Sequence, residues 1–379
     1  MELYATLQVV WWLLLGVLLT GLAVMVGMDM GVGTILRFVG RTDDERRVAL
    51  NIIGPHWDGN QVWFILGGGA VFAAFPLIYA TAFSGFYVVM LLLLWTMIVR
   101  PLGFEYRSKL AAPAWRSTWD WGLFVSGAIP MIVFGAAIGN LFRGVPFHFE
   151  WNLASVYSGS FLALLNPFAV MCGLLSLALS VMMGALTVMN GTDADGTMWR
   201  RARSMARIAA MAGIVLFAIG GFWVGAIPGY QIVSGPGAGI AQTPLQQVVN
   251  TVDGGWLSNY SAQGALWLIP AVGFLGMLGA LFAAQAGRSH LGWWSGALAW
   301  LGVIGTAGVA LFPFLLPSSS NPSMSLTIWN ASSSRLTLAW MLGFAVVFVP
   351  LVLWYTSWAF WIMRGKVTVQ HIAQNDHAY

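Results

Sequence analysis

Nine stretches of this sequence are apolar enough to cross a bilayer, each close to the roughly 20 residues that a helical span needs. They centre on residues 8–32, 52–75, 78–99, 121–142, 161–189, 206–227, 265–287, 292–316 and 337–361. Of 379 residues, 59% are hydrophobic and 8% charged, a composition that no soluble fold requires on every helix face. The expectation is an all-α polytopic membrane protein with a single transmembrane domain over residues 1–379 and no internal repeat. The first apolar run has neither a basic flank nor a small-residue cleavage pattern, so it reads as a retained span.

The charges give the orientation. Of the 17 Lys and Arg, all but Arg143 and Arg335 fall in alternate connections: Arg37 to Arg47, Arg100 to Arg116, Arg200 to Arg207, Arg288, and Arg364 with Lys366. The positive-inside rule then puts the N-terminus in the periplasm and the C-terminus in the cytoplasm, with an odd number of spans between. The net charge of +4 therefore records topology and gives no nucleic-acid signal. The outer connections are rich in Gly, Pro, Ser and Asn, as in "PGYQIVSGPGAGIAQTPLQQ" and "PSSSNPSMS", and read as surface loops. Small residues four apart (Gly27 and Gly31, Gly135 and Gly139, Gly221 and Gly225) suit close helix contact. The lone Cys172 can form neither an internal disulfide nor a thiolate cluster, and reads as a buried structural residue.

A carboxylate at the centre of a bilayer costs about 2.5–3.5 kcal/mol on insertion scales, so ionisable groups in spans are functional candidates. Here they cluster at one face. Asp29 lies in "VGMDMGVG" toward the inner end of the first span; "GPHWDGNQVW" puts His56, Asp58, Asn60 and Gln61 at the start of the second; Arg100 closes the third in "VRPLGFEYRSK", followed by Glu105. At 1.5 Å per residue, Asp58 is expected roughly 9 Å below the cytoplasmic surface. Two readings stand. In one, Asp58, Asn60 and Gln61 cap a helix start and Asp29 pairs with Arg100 for packing alone. In the other, the cluster is a proton or ion route.

Haem ligation within this chain has little to draw on. Bis-His binding needs His inside spans, and only His56 lies in one, whereas His148, His290, His371 and His377 fall in loops or the tail. The 18 Met read as packing, and no CxxC, CxxCH, HExxH or Walker motif is present. Gly67 to Gly69 sit mid-span, where they suit close approach of a helix or a cofactor, or a gas passage. Trp11, Trp12, Trp119, Trp121, Trp293 and Trp294 fit an interfacial belt, while Trp63, inside the second span, is either packing or a wall of an oxygen path.

Several motifs in order, "PHWDGNQVW" (55–63), "FSGFY" (83–87), "RPLGFEYRSK" (100–109), "WDWG" (119–122), "GNLFRGVPF" (139–147), "LLNPF" (164–168), "FPFLLPSS" (312–319) and "SLTIWNASSSRLTL" (325–338), closely resemble subunit II of cytochrome bd-type ubiquinol oxidase over the whole chain. The resemblance implies nine spans arranged as two four-helix bundles plus one peripheral helix, paired with a larger haem-bearing subunit I in a bacterial inner membrane. It places two haem b and one haem d in subunit I, with none ligated here, and leaves room for a structural quinone and a small accessory subunit. It implies an enzyme complex that couples quinol oxidation to reduction of dioxygen to water without proton pumping. By similarity, Asp58 lies on a proton path from the cytoplasm, Trp63 lines an oxygen route, and Asp29, His56, Arg100 and Glu105 support the polar network.

This chain departs from the family at two places. "VGMDMG" stands where "DGFDMG" is common, so Val26 and Met28 replace an Asp and a Phe, and Asn330 replaces the Asp of a frequent "WDA". A rival of another class, a secondary transporter using Asp29, Asp58 and Arg100, is disfavoured because transporter sites lie near the midplane between repeated halves. A third reading makes the chain a scaffold alone.

Overall fold

The computed structural model describes residues 1–194, 196–373 and 379. His377 lies outside them. The fold is all-α. The helices are α1 (Glu2–Val39), α2 (Asp43–Ile53), α3 (Trp57–Ala74), α4 (Pro76–Gly85), α5 (Tyr87–Tyr106), α6 (Pro113–Arg143), α7 (Pro167–Gly191), α8 (Thr197–Gly225), α9 (Ser258–Ala262), α10 (Leu268–Gln285), α11 (Ser289–Leu311), α12 (Arg335–Ile362) and α13 (Val369–Ala373).

Among the described residues eight helices are long and apolar enough to cross a membrane alone, and the expected nine is reached when the bent pair α3 and α4 counts as one span. The bend has a local cause. Phe75 leaves helical geometry at φ −135° and ψ 64°, and Pro76 restarts a helix at 120° to α3. Proline's preset φ suits such a first turn, and its missing N–H costs nothing there. The expected span at 78–99 is therefore corrected: its first turns form α4, and the membrane-length helix is α5, displaced toward the C-terminal end of that stretch. Arg100 accordingly lies inside α5 and does not close it.

Helix α1 is central, packing against α3, α6, α7 and α11, while α7 packs on α8 and α11, and α10 on α8 and α11. Its approach to α7 depends on glycine: a Cβ on Gly31 would meet the Ser180 carbonyl and one on Gly184 the Gly31 main chain. Ser180 Oγ donates to the Gly27 carbonyl at 2.6 Å across the same crossing. Gly135 and Gly139 likewise face Cys172, which is half-buried and not fully buried as expected, whereas nothing approaches Gly221 within 4 Å. Helix α12 stands apart, with only Leu338 buried, where Trp11 Nε1 donates to its carbonyl at 3.0 Å.

The outer connections are more structured than loops. β1 (Phe147–Phe149) pairs with β2 (Ser155–Tyr157), β3 (Gly229–Ser234) with β4 (Val248–Val252), and β5 (Phe314–Leu316) with β6 (Leu326–Thr327), all antiparallel. Side chains tie them together: Gln247 Nε2 donates to the Ser325 carbonyl at 2.6 Å and Trp256 Nε1 to the Phe142 carbonyl at 3.0 Å. Asn330 is buried in this cap, accepting from the Thr327 N–H at 2.8 Å and donating to the Ser325 carbonyl at 3.1 Å, so it locks a turn.

Candidate functional site: a buried polar cluster under the cytoplasmic face

Three helices converge on Asp29. α1 delivers the carboxylate about 15 Å from its inner end, at 1.5 Å per residue. The start of α3 supplies His56 and Asn60, four residues apart and hence on one face. α5 supplies Arg100 one and a half turns before its end. Asn60 Nδ2 donates to Asp29 Oδ2 at 2.8 Å and lies 3.2 Å from His56 Nδ1. His56 Nδ1 stands 3.6 Å from Asp29 Oδ1, and an Arg100 nitrogen 3.7 Å from Asp29 Oδ2. Asp29, Asn60 and Arg100 are 1%, 3% and 2% exposed, so this is an ion pair with little water of its own.

The geometry is loose in one respect. Asp29 Oδ1, one Arg100 nitrogen and Gln61 Nε2 are buried with no hydrogen-bond partner. Such orphans are costly in a dry interior, and buried water commonly satisfies them. Aromatic rings line the rest: Arg100 lies 5.7 Å from the Trp57 ring centre, Trp57 stacks on Phe104 at 4.6 Å and 3°, and Phe360 of α12 covers His56 at 4.6 Å. Val26 is fully buried one turn outward from this cluster.

The capping reading fails at its proposed residues, since His56 occupies the N-cap of α3 and no side chain caps it. Asp58 falls in the first turn of α3, and both Asp58 and Glu105 are exposed without a hydrogen-bond or ion-pair partner among the described residues. By helical spacing Asp58 shares a face of α3 with exposed Val62 and Ile65, and Glu105 shares a face of α5 with exposed Ile98 and Leu102. On α3 a Cβ at Gly67 would meet Leu22 at 3.5 Å, whereas Gly68 and Gly69 open onto space. Trp63 is half-buried, and its indole occupies the space beside Gly21 that a Cβ there would need.

Sequence reasoning missed Trp57, the aromatic partner of Arg100, and treated Asn60 only as a cap; the i, i+4 spacing of His56 and Asn60 was the available signal. It also missed a second buried network. Arg107 Nε donates to Asp120 Oδ1 at 2.6 Å and an Arg107 terminal nitrogen to Asp43 at 2.9 Å; Arg46 reaches Asp120 at 2.9 Å and Arg116 reaches Asp43 at 2.5 Å. Among the described residues no group of three or more His, Cys, Asp or Glu is placed to hold a metal ion.

Membrane-length helices packed around a buried cluster of ionisable groups define a polytopic membrane protein. The family model for "Cytochrome bd terminal oxidase subunit II" matches residues 7–363, and the chain belongs to this family. It is 45% identical over 376 residues to cytochrome bd-I ubiquinol oxidase subunit 2 of Escherichia coli (strain K12), covering 99% of each chain. It is 31% identical over 367 residues to cytochrome bd ubiquinol oxidase subunit 2 of Bacillus subtilis (strain 168), covering 96% of this chain and 98% of that one. A chain from the bd oxidase of Geobacillus thermodenitrificans shares the fold at a TM-score of 0.59 and 13% identity, over 96% of this chain and 99% of that one. Family membership sets the transporter reading aside.

Proposed function

We propose that this chain serves a quinol:oxygen oxidoreductase as its proton-input subunit, drawing protons from the cytoplasm toward a haem-bearing subunit I. The observation that carries this reading is the Asp29, His56, Asn60 and Arg100 cluster, buried beneath exposed Asp58 and retaining an unpaired carboxylate oxygen. A carboxylate whose oxygens are all paired has no vacancy for a transferred proton; Asp29 keeps one. Asp58 takes protons from cytoplasmic water and passes them inward through His56 and ordered water.

The donor set argues for haem in the partner: His56 is engaged with Asp29 and Asn60, and His290, expected in a loop, is exposed in the first turn of α11. Two haem b and one haem d in subunit I would supply the redox chemistry, with quinol oxidised at the outer face and dioxygen reduced to water. Charge separation then arises from proton uptake inside and release outside, without pumping. The exposed side of α3 and α5 supports this partnership, because an Asp58 facing lipid at depth would cost up to about 2.5–3.5 kcal/mol, a penalty that a polar partner removes. We assign that side to subunit I, with Trp63 and the open Gly68 and Gly69 beside an oxygen route, and leave room for a structural quinone and an accessory subunit. The packing of α1 with α3 and α6 and of α5 with α6, that of α7 with α8 and α11 and of α10 with α8 and α11, and the peripheral place of α12 support two four-helix bundles with one peripheral helix. The chain forms one membrane domain in a bacterial inner membrane, with its N-terminus in the periplasm.

The test is Asp58→Asn in the assembled complex. Oxygen consumption with quinol is expected to fall about tenfold or more, the loss of one proton-transfer group, with haem content unchanged. Full turnover with normal proton uptake would leave the chain a scaffold only.

A further inference from the structure

The segment after α12 crosses the cytoplasmic face and is fastened at three places. Lys366 Nζ lies 3.2 Å from Asp193, and the Val367 N–H donates to the Gly191 carbonyl at 2.9 Å, at the turn between α7 and α8. Ile372 of α13 is 5% exposed where α13 lies on α2. The third fastening is Tyr379, in the elbow between α2 and α3.

That last contact is a built seat. The Tyr379 carbonyl accepts from Arg47 Nε and from Asn51 Nδ2, both at 3.0 Å, and its N–H donates to Asn51 Oδ1 at 3.0 Å. A side chain at Gly54 would overlap the Tyr379 ring, so the elbow glycine is the floor of the seat. The ring meets Phe104 edge-on at 5.4 Å, and its hydroxyl accepts from Trp57 Nε1 at 3.4 Å. Trp57 is the residue that stacks on Phe104 and lies beside Arg100.

We infer that Tyr379 is a positioning residue, a strap that holds the α2–α3 elbow shut beneath the polar cluster and so fixes His56, Trp57 and Arg100 against Asp29. The chain of contact is short: Tyr379 to Trp57, Trp57 to Arg100, Arg100 to Asp29. Without the ring, the elbow is held by α2 and α3 alone, and water reaches the inner side of Trp57 without order. The inference rests on the proton-input reading for its effect on turnover, but its effect on the elbow is independent of that reading.

The experiment uses the complete purified complex with Tyr379→Ala and Tyr379→Phe, read by hydrogen–deuterium exchange and by oxygen uptake with quinol. In the Ala variant, exchange over residues 51–57 should accelerate about tenfold, the equivalent of one net hydrogen bond lost locally. The Phe variant keeps the ring and all three main-chain bonds, and should stay within about twofold of the parent. In the Ala variant kcat should fall about threefold at unchanged KM for quinol, the pattern of a step after binding. Unchanged exchange at the elbow overturns the inference, as does exchange that rises equally over 188–194, which would be general loosening. Faster elbow exchange with normal kcat, while Asp58→Asn is slow, also overturns the positioning role. If both variants keep normal kcat and the elbow still loosens, the strap stands and the proton-input reading falls.

Discussion

Two buried carboxylates toward the basic end of the spans have opposite surroundings. Asp120 meets Arg107 at 2.6 Å and Arg46 at 2.9 Å, and these pairs pin α2 and the inner end of α5 to α6. Asp29 has one 2.8 Å bond, from Asn60, and stands 3.6 and 3.7 Å from His56 and Arg100 with an oxygen unsatisfied. Residue type and burial are the same, so neither explains the difference. What differs is closure. Both Asp120 oxygens are bonded, although Arg107 keeps one terminal nitrogen without a partner among the described residues; a carboxylate closed in this way is rigid and chemically quiet, whereas an open one keeps a vacancy for a proton or a water at a cost in stability.

The comparison breaks most readily at its rigid end. Arg107→Ala leaves Asp120 and Asp43 short of their guanidinium partner inside a buried network, a change expected to cost about 3–5 kcal/mol. Thermal unfolding of the purified complex should show the transition fall steeply, or assembly should fail. Asp29→Asn removes a charge already incompletely paired, so it should assemble with near-parent thermal stability while turnover drops about tenfold or more. Were Asp29→Asn as unstable as Arg107→Ala, the contrast between clamp and relay would collapse.

A third carboxylate gives the smallest effect. Glu45 closes a capping box with Thr42 and pairs with Arg201 at 2.8 Å, joining α2 to α8. Burial alone would raise its pKa, but the Arg201 guanidinium and the Arg41 and Thr42 N–H groups outweigh that and lower it from 4.5 to about 2. A depressed folded value stabilises the protein above the unfolded value, and the gain is lost as pH falls from about 4.5 toward 2. Solvent screening of this surface pair leaves about 1 kcal/mol. Parent and Glu45→Gln should therefore differ in unfolding temperature near pH 6, with the gap narrowing below about pH 4.5 and closing near pH 2; a gap that widens on acidification would reverse the sign.

Much of the fold was legible in the chain. Apolar runs of bilayer length and basic residues in alternate connections depend on local composition, so the helices and an orientation could be read without any contact. The bend at Phe75 and Pro76 was harder, because proline is as consistent with a loop between spans as with a helix restart. The site was legible in part: Asp29, His56 and Arg100 stood out as ionisable groups in apolar runs, and the structure brings them together. Asn60, Trp57 and the Arg107 network did not, since amide, indole and cytoplasmic Arg are common in such contexts and only their partners distinguish them. Tyr379 carried no signal, being 328 positions from the Asn51 that holds it.

By itself the sequence determined that this protein lives in a bilayer, which end of the spans is basic, and that scarce charges collect near the start of the second span. These follow from transfer free energies, which are additive along the chain. Only the tertiary structure decided which carboxylate is sealed and which is left open. Hydrogen-bond closure depends on distances of a few tenths of an ångström between helices far apart in sequence, and no pattern within one helix encodes them.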